Sequence, residues 1–216
     1  MLERLRYDRA PQLTRAIDRL RRRAAPGDYS TLWTNAIYGW DNARWSAEER
    51  YLAEVVRASE QIKSSILECG SGLTTLLMAA VAARSGVQIH ALENNPGWHA
   101  RVAGAIREFG LTNVTVHFAP LRDFGEFDWY DAPLGSLPND FGLVVCDGPP
   151  AGGRGGRRGT LPIMHEKLVP GCLIMLDDAN RPAERELLKQ WVRDYGAMPE
   201  LRPSSRGFAR VRLPGA

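Results

Sequence analysis

The sequence predicts an α/β fold: a doubly wound, mostly parallel seven-stranded sheet with helices on both faces, preceded by an N-terminal helical cap. Three observations carry this. From residue 64 onward, short β-branched runs alternate with helical ones, the pattern of strand–helix–strand units. A glycine-cornered turn, "ECGSG", joins the first of these strands to the first of these helices. At 216 residues, 44% of them hydrophobic, the chain can bury the core of one large domain with an appendage.

Residues 1–60 are expected to form the cap and residues 61–216 the sheet domain. In the cap, Leu13, Ile17, Leu20 and Ala24 recur at helical spacing and would bury one side, with Arg15, Arg19, Arg21, Arg22 and Arg23 around it. A loop-like aromatic stretch, "APGDYSTLWTNAIYGWDNARW", follows. Ser46 and Glu49 then have capping-box spacing ahead of the helix in "SAEERYLAEVVRAS". The expected strands are "SSIL", "VQIHAL", "VTVHF", "FGLVVC" and "CLIML", with helices near 73–84, 97–109, 160–168 and 182–195. The tail "RGFARVRL" adds a last strand, antiparallel at or near the edge.

Composition narrows the function. No run of about 18 apolar residues spans a bilayer, and "MLERLRYDRA" lacks the apolar core of a signal peptide, so a cytoplasmic protein without a membrane partner is expected. Cys69, Cys146 and Cys172 lie in or beside apolar runs, away from any zinc-ligand spacing, and read as reduced packing residues. The net charge is +3, but residues 1–26 hold eight arginines against three acids. A solvated helix face explains that excess more simply than nucleic acid does. The apolar faces of the cap helices are suited to pairing two chains as a homodimer.

The turn itself separates ligand classes. A phosphate-gripping P-loop ends in Gly-Lys-Ser/Thr, and "GSGLTT" has no lysine. A dinucleotide turn wants a third glycine where Thr75 stands, and Glu68 lies close to where a pyrophosphate would sit. Glu93, ending the second strand, is placed to accept both hydroxyls of a ribose, which suits a nicotinamide dinucleotide or S-adenosylmethionine.

The succession "LECGSGLTT", "ALENNPGW", "FAPLRDF", "LVVCDGPP" and "LVPGCLIMLDDANRP" resembles the ordered motifs of the class I S-adenosylmethionine-dependent methyltransferases, a Rossmann-like superfamily, over roughly residues 60–195. The Asp-Gly-Pro-Pro and Asp-Asp sequences resemble a bacterial group of small O-methyltransferase-like proteins. The resemblance implies that Glu68, Gly70, Gly72 and Thr74 surround the methionine part of the cofactor. It implies that Glu93 holds the ribose, flanked by Asn94 and Asn95, that Pro120 and Leu121 lie near the adenine, and that Asp147 sits beside the transferring methyl. Glu68 beside the glycine turn is then tolerable, because this cofactor carries an ammonium and a sulfonium but no phosphate.

Methyl transfer to a hydroxyl needs alignment and removal of a proton. "DGPP" departs from the Asn/Asp-Pro-Pro-aromatic motif of enzymes that methylate planar nitrogens, so oxygen of a small or sugar-like acceptor is expected. Asp147, Asp177 and Asp178 match the magnesium ligands of catechol-type relatives, with Asp147 and Asp177 as acid–base candidates; the alternative is that Asp177 and Asp178 cap the helix starting near Pro182. His165 is the other acid–base candidate. Arg157 and Arg158, in "AGGRGGRRG", are placed to meet a substrate carboxylate or phosphate, or else lie on a mobile solvated loop. The aromatic clusters Trp33, Tyr38, Trp40 and Trp45, and Trp129 with Tyr130, are expected to roof the site, Trp40 touching the acceptor. Two other readings remain: a cofactor-holding module that transfers nothing, and a methyltransferase reaching nucleic acid through its basic helix.

Overall fold

The structure, a computed structural model, describes residues 9–27, 30–42, 45–150 and 154–215. The start of the basic segment, residues 1–8, and residues 151–153 of the arginine-glycine run lie outside them. Among the described residues no helix is long and apolar enough to cross a membrane.

Three helices come first: α1 (Ala10–Arg22), α2 (Thr31–Trp40) and α3 (Glu49–Gln61). The stretch expected to be a loop contains α2. Ser30 caps it by accepting from the Leu32 amide at 3.3 Å, and Leu32, Trp33, Ala36 and Trp40 make its buried face. Nor does the expected capping box form. The cap of α3 is Glu48, the Ser46 hydroxyl donates to the Asn42 carbonyl at 3.0 Å, and Glu49 accepts from Thr34 at 2.6 Å.

The sheet follows as β1 (Ser65–Cys69), α4 (Leu73–Ala82), β2 (Ile89–Glu93), α5 (Pro96–Glu108) and β3 (Val114–Phe118). A small antiparallel hairpin, β4 (Leu121–Asp123) and β5 (Asp128–Tyr130), precedes β6 (Phe141–Cys146). The chain continues through a 3-10 turn (Gly156–Gly159), α6 (Thr160–Met164), a second 3-10 turn (His165–Lys167), β7 (Leu168–Asp177), α7 (Pro182–Tyr195), β8 (Met198–Arg202) and β9 (Phe208–Arg212). The strand order is β3-β2-β1-β6-β7-β9-β8, parallel from β3 to β7. The expected tail strand is β9, antiparallel between β7 and an edge strand, β8, that periodicity did not locate.

Alternation along the strands sorts the core into two layers, because successive side chains leave opposite faces. Ile66, Leu143, Val145 and Met175 meet α3, α4 and α5, and the same apolar cluster runs on through Tyr51, Trp33, Leu20 and Leu13. The three N-terminal helices thus share the core of the sheet. Leu67, Val144, Ile174 and Leu176 meet Leu161, Met164, Leu187, Trp191, Trp129 and Tyr130 on the other face. Successive strands add outward from β1 to β3, and β6 then lies on the other side of β1. The order reverses there, so a crevice opens at the carboxyl ends of β1 and β6.

Candidate active site

The chain leaves β1 through Gly70, whose φ of +93° lies in the left-handed region that glycine adopts without penalty. A Cβ at Gly70 would stand 3.2 Å from the Gly148 nitrogen, so the turns after β1 and β6 touch backbone to backbone. At Gly72 a Cβ would meet only the Trp98 ring, at 3.8 Å, so of the two turn glycines it is Gly70 that the close backbone approach requires. Thr75 Oγ1 accepts from the Gly72 amide at 2.8 Å and donates to Glu68 at 2.6 Å, while the Thr74 hydroxyl donates to the other Glu68 oxygen. Glu68 is only 1% exposed, and burial pushes its carboxyl up to about 8 against the pull of these hydroxyls. The structure places it as a buttress behind the turn, bonded to side chains rather than to amides of its own loop.

Glu93 ends β2 and braces the crevice. One carboxylate oxygen accepts from the Ser71 amide at 3.2 Å and the Ser71 hydroxyl at 2.9 Å; the other accepts from the Asn95 amide at 2.8 Å. Asn95 caps α5 by accepting from the Trp98 amide at 2.9 Å, and the Trp98 indole donates to the Ser71 carbonyl at 2.5 Å. Asn94 is half-buried between them, and Pro120 and Leu121 are exposed just past β3.

The hairpin supplies a residue that pattern reading assigned only to a roof. Tyr130 is 1% exposed, and its hydroxyl faces Gly148 with no hydrogen-bond partner. Burial, with Cys69 and Glu93 nearby, raises its pKa well above the usual phenol range. Leaving such a hydroxyl unpaired costs about 1–3 kcal/mol, a cost found where a ligand completes the bonding.

Asp147 follows β6, Asp177 ends β7 and Asp178 follows it, and carboxylate oxygens of the three lie within 4.8 Å of one another. Arg157 lies among them. Its Nη2 donates to Asp147 Oδ1 at 3.1 Å, to Asp178 Oδ2 at 3.0 Å and to the Asp147 carbonyl at 2.7 Å. Its Nη1 donates to the Asp177 carbonyl at 2.5 Å and to Glu184, on α7, at 3.3 Å. Arg181 adds an ion pair to Asp178 Oδ2, at 3.0 Å. Burial first, then the charges of Asp147 and Asp178, push Asp177 up to about 8, so it keeps its proton at neutrality. Asp147 is raised too, by burial opposed by Arg157, although a third of its side chain reaches solvent at the crevice lip. Asp178 has a φ of +56°, a left-handed conformation costing about 1–2 kcal/mol in a residue with a Cβ. It does not cap α7, whose N-cap is Arg181.

The sequence model of the methyltransferase domain family matches residues 67–179, just over half of the chain. The chain belongs to that family. No curated protein matches it. Among solved structures, a Podospora anserina methyltransferase, PaMTH1, bound to S-adenosylhomocysteine, is 17% identical with a TM-score of 0.65, covering 94% of this chain and 87% of its own. A Geobacter sulfurreducens methyltransferase is 14% identical with a TM-score of 0.61, covering 87% of this chain and 90% of its own. The O-methyltransferase TomG of Streptomyces achromogenes, in complex with S-adenosylmethionine, is 13% identical with a TM-score of 0.57, covering 96% of this chain and 99% of its own.

In this methyltransferase domain the crevice suits S-adenosylmethionine by its donor set: Glu93 beside the first turn, Asp147 at the lip, and the orphaned Tyr130 hydroxyl between. The expected magnesium ligands do not fit a metal. A magnesium–oxygen bond is about 2.1 Å, and the space where Asp147 and Asp178 would share an ion holds the guanidinium of Arg157. A dication 4 Å from that group would be repelled by about 8 kcal/mol at an effective dielectric of about 20.

Other expected residues fall elsewhere. Arg157 is 5% exposed and bound to the protein's own acids, so it does not wait for a substrate anion. Arg158 pairs with Glu126 at 2.8 Å and lines a cavity of about 420 Å³ between residues 155–158 and α7. The loop from 154 to 159 is bolted down rather than solvated: the Asp128 amide donates to the Arg154 carbonyl at 2.7 Å, and a Cβ at Gly159 would stand 2.4 Å from the Trp129 ring. His165 lies before β7, whose first residue, Leu168, pairs with Phe141 at the start of β6 while Leu176 pairs with Cys146 at its end, so the two ends of β7 are roughly 17–20 Å apart, and His165 packs against Tyr195. It is therefore remote from the crevice. Trp40 is 6% exposed, edge-on to Trp98 with Arg101 over its face, and anchors α2 to α5 instead of touching an acceptor.

Proposed function

We propose that this chain transfers the methyl group of S-adenosylmethionine to an oxygen of a small-molecule or sugar-like acceptor, without a metal ion. The observation that carries the reading is the acidic crevice at the β1–β6 switch point, braced by Glu93 and lipped by Asp147, in a chain of the methyltransferase domain family. The cofactor supplies an electrophilic methyl on a sulfonium. Glu93 would hold its ribose hydroxyls, having already fixed Ser71 and Asn95, and the Tyr130 hydroxyl would gain the partner it lacks.

Asp147 is the group that takes the acceptor proton. It alone of the three strand-end aspartates reaches solvent, its raised pKa makes it a better base than an ordinary carboxylate, and Asp177 is already protonated. Asp178 is tied to Arg157 and Arg181. The acceptor oxygen would take the methyl as the methyl–sulfur bond breaks with its electron pair left on sulfur, releasing S-adenosylhomocysteine, and the hydroxyl proton would pass to Asp147. Labelled S-adenosylmethionine offered with phenols, catechols and sugars tests this. Transfer to a hydroxyl that falls about 100-fold or more in Asp147→Asn, with the pair Asp147→Asn and wild type binding S-adenosylhomocysteine alike, is the expected result. Equal rates in the two proteins would remove Asp147 from the role, and transfer only to nitrogen would remove the oxygen assignment.

A further inference from the structure

We infer that Arg157 is the resident cation of this site: its guanidinium fills the place a divalent ion would need between the carboxylates of Asp147 and Asp178, so the chain supplies its own cation to these strand-end acids. What this means for methyl transfer rests on the function proposed above; the occupancy itself does not.

Both ends of the guanidinium are engaged. Nη2 faces Asp147 and Asp178, and Nη1 faces Glu184 and the Asp177 carbonyl, so acids from β6, the β7–α7 turn and α7 all close on one group. The fork geometry of arginine suits several carboxylates approaching in one plane, which a lysine or a spherical ion would not satisfy in the same way.

The chain is built to deliver it. Gly155 and Gly156 have φ of +83° and +50°, conformations that favour glycine, and Gly155 packs so closely on Phe127 that a Cβ would stand 2.4 Å from that side chain. Thr160 donates to the Arg157 carbonyl at 2.8 Å and fixes the residue from the other side. Gly155, Gly156 and Gly159 thus bring the backbone down onto the hairpin at the spacing that sends one arginine inward, while Arg154 and Arg158 stay on the surface with Asp128 and Glu126.

Arg181 adds a second cation to the same group of acids, pairing with Asp178 Oδ2 at 3.0 Å.

Manganese(II) added to metal-free protein, read by calorimetry and by its magnetic resonance signal, tests the assignment. Wild type is expected to show no saturable site below about 1 mM. Arg157→Ala is expected to open one site at least about tenfold tighter, removed again when Asp178→Asn is added, whereas Arg157→Lys stays like wild type. A single site in wild type at or below about 100 μM that Asp178→Asn abolishes would overturn the inference. So would a folded Arg157→Ala protein that gains no site. Should Arg157→Ala fail to fold, the wild-type titration decides alone. S-adenosylhomocysteine titrated into the same samples reports the crevice separately: its failure to bind counts against the proposed function and leaves the cation assignment standing.

Discussion

The Tyr130 hydroxyl and the backbone of Gly148 are in such close contact that a Cβ at position 148 would come within 2.3 Å of the hydroxyl oxygen. The glycine of "DGPP" is therefore required by a neighbour from the β4–β5 hairpin, and that neighbour is buried and cannot swing away. Gly148→Ala is expected to destabilise the protein by about 1–3 kcal/mol through overpacking. Tyr130→Phe alone should leave stability equal or slightly higher, since it removes an unpaired buried hydroxyl, while weakening S-adenosylhomocysteine binding. The double variant should regain part of the loss. Denaturant midpoints of the four proteins check this, and additive effects would mean that the contact is not the cause.

Glu93 braces Ser71 and Asn95, and the proposed function adds the ribose hydroxyls; the two roles separate experimentally. Glu93→Ala should lower S-adenosylhomocysteine affinity about tenfold or more and cost about 1–3 kcal/mol of stability, because the Ser71 and Asn95 amides lose their acceptor. Ser71→Ala should lower stability slightly with less effect on affinity. If Glu93→Ala binds as wild type does, the ribose assignment fails.

Buried acids give the fold an unusual pH dependence. Glu68 titrates near 4.5 when exposed and at about 8 when folded, and Asp177 moves from 3.8 to about 8. Below the lower values both states are protonated and the contribution is complete; above them the unfolded chain releases protons that the folded chain keeps, so stability falls as pH rises to 8. The thermal midpoint should therefore drop between pH 5 and pH 8, less steeply in Glu68→Gln. A midpoint that rises across this window in wild type would contradict the assignment.

His165 is remote from the crevice at the other end of β7. His165→Ala should leave S-adenosylhomocysteine affinity within about twofold of wild type, as for independent sites more than about 10 Å apart. A tenfold loss would mean that the two ends of the sheet are coupled.

What could be read in advance followed local periodicity. The six strands and four sheet-domain helices have the apolar spacing their environments demand, and Gly70 and Glu93 sit where strand ends must put them. The misses have local causes too. Helix α2 carries Gly39 and three aromatic rings, a composition that reads as loop until burial of Trp33 and Trp40 is known. Strand β8 begins Met-Pro-Glu and is exposed along most of its length, so it has no alternation to detect. The hairpin strands are three residues each, below any useful window. Arg157 was hidden for another reason: its partners come from β6, β7 and α7, and a glycine-arginine run reads as a solvated loop until those acids are seen to converge on it.

Calorimetric titration of the folded protein with S-adenosylhomocysteine, with NAD as the control ligand, tests the central claim most directly. The account predicts one site per chain in the micromolar range, weakened about tenfold or more in Glu93→Ala, and no heat from NAD. Binding of NAD in its place, or of neither ligand to a sample with an intact thermal transition, would contradict it.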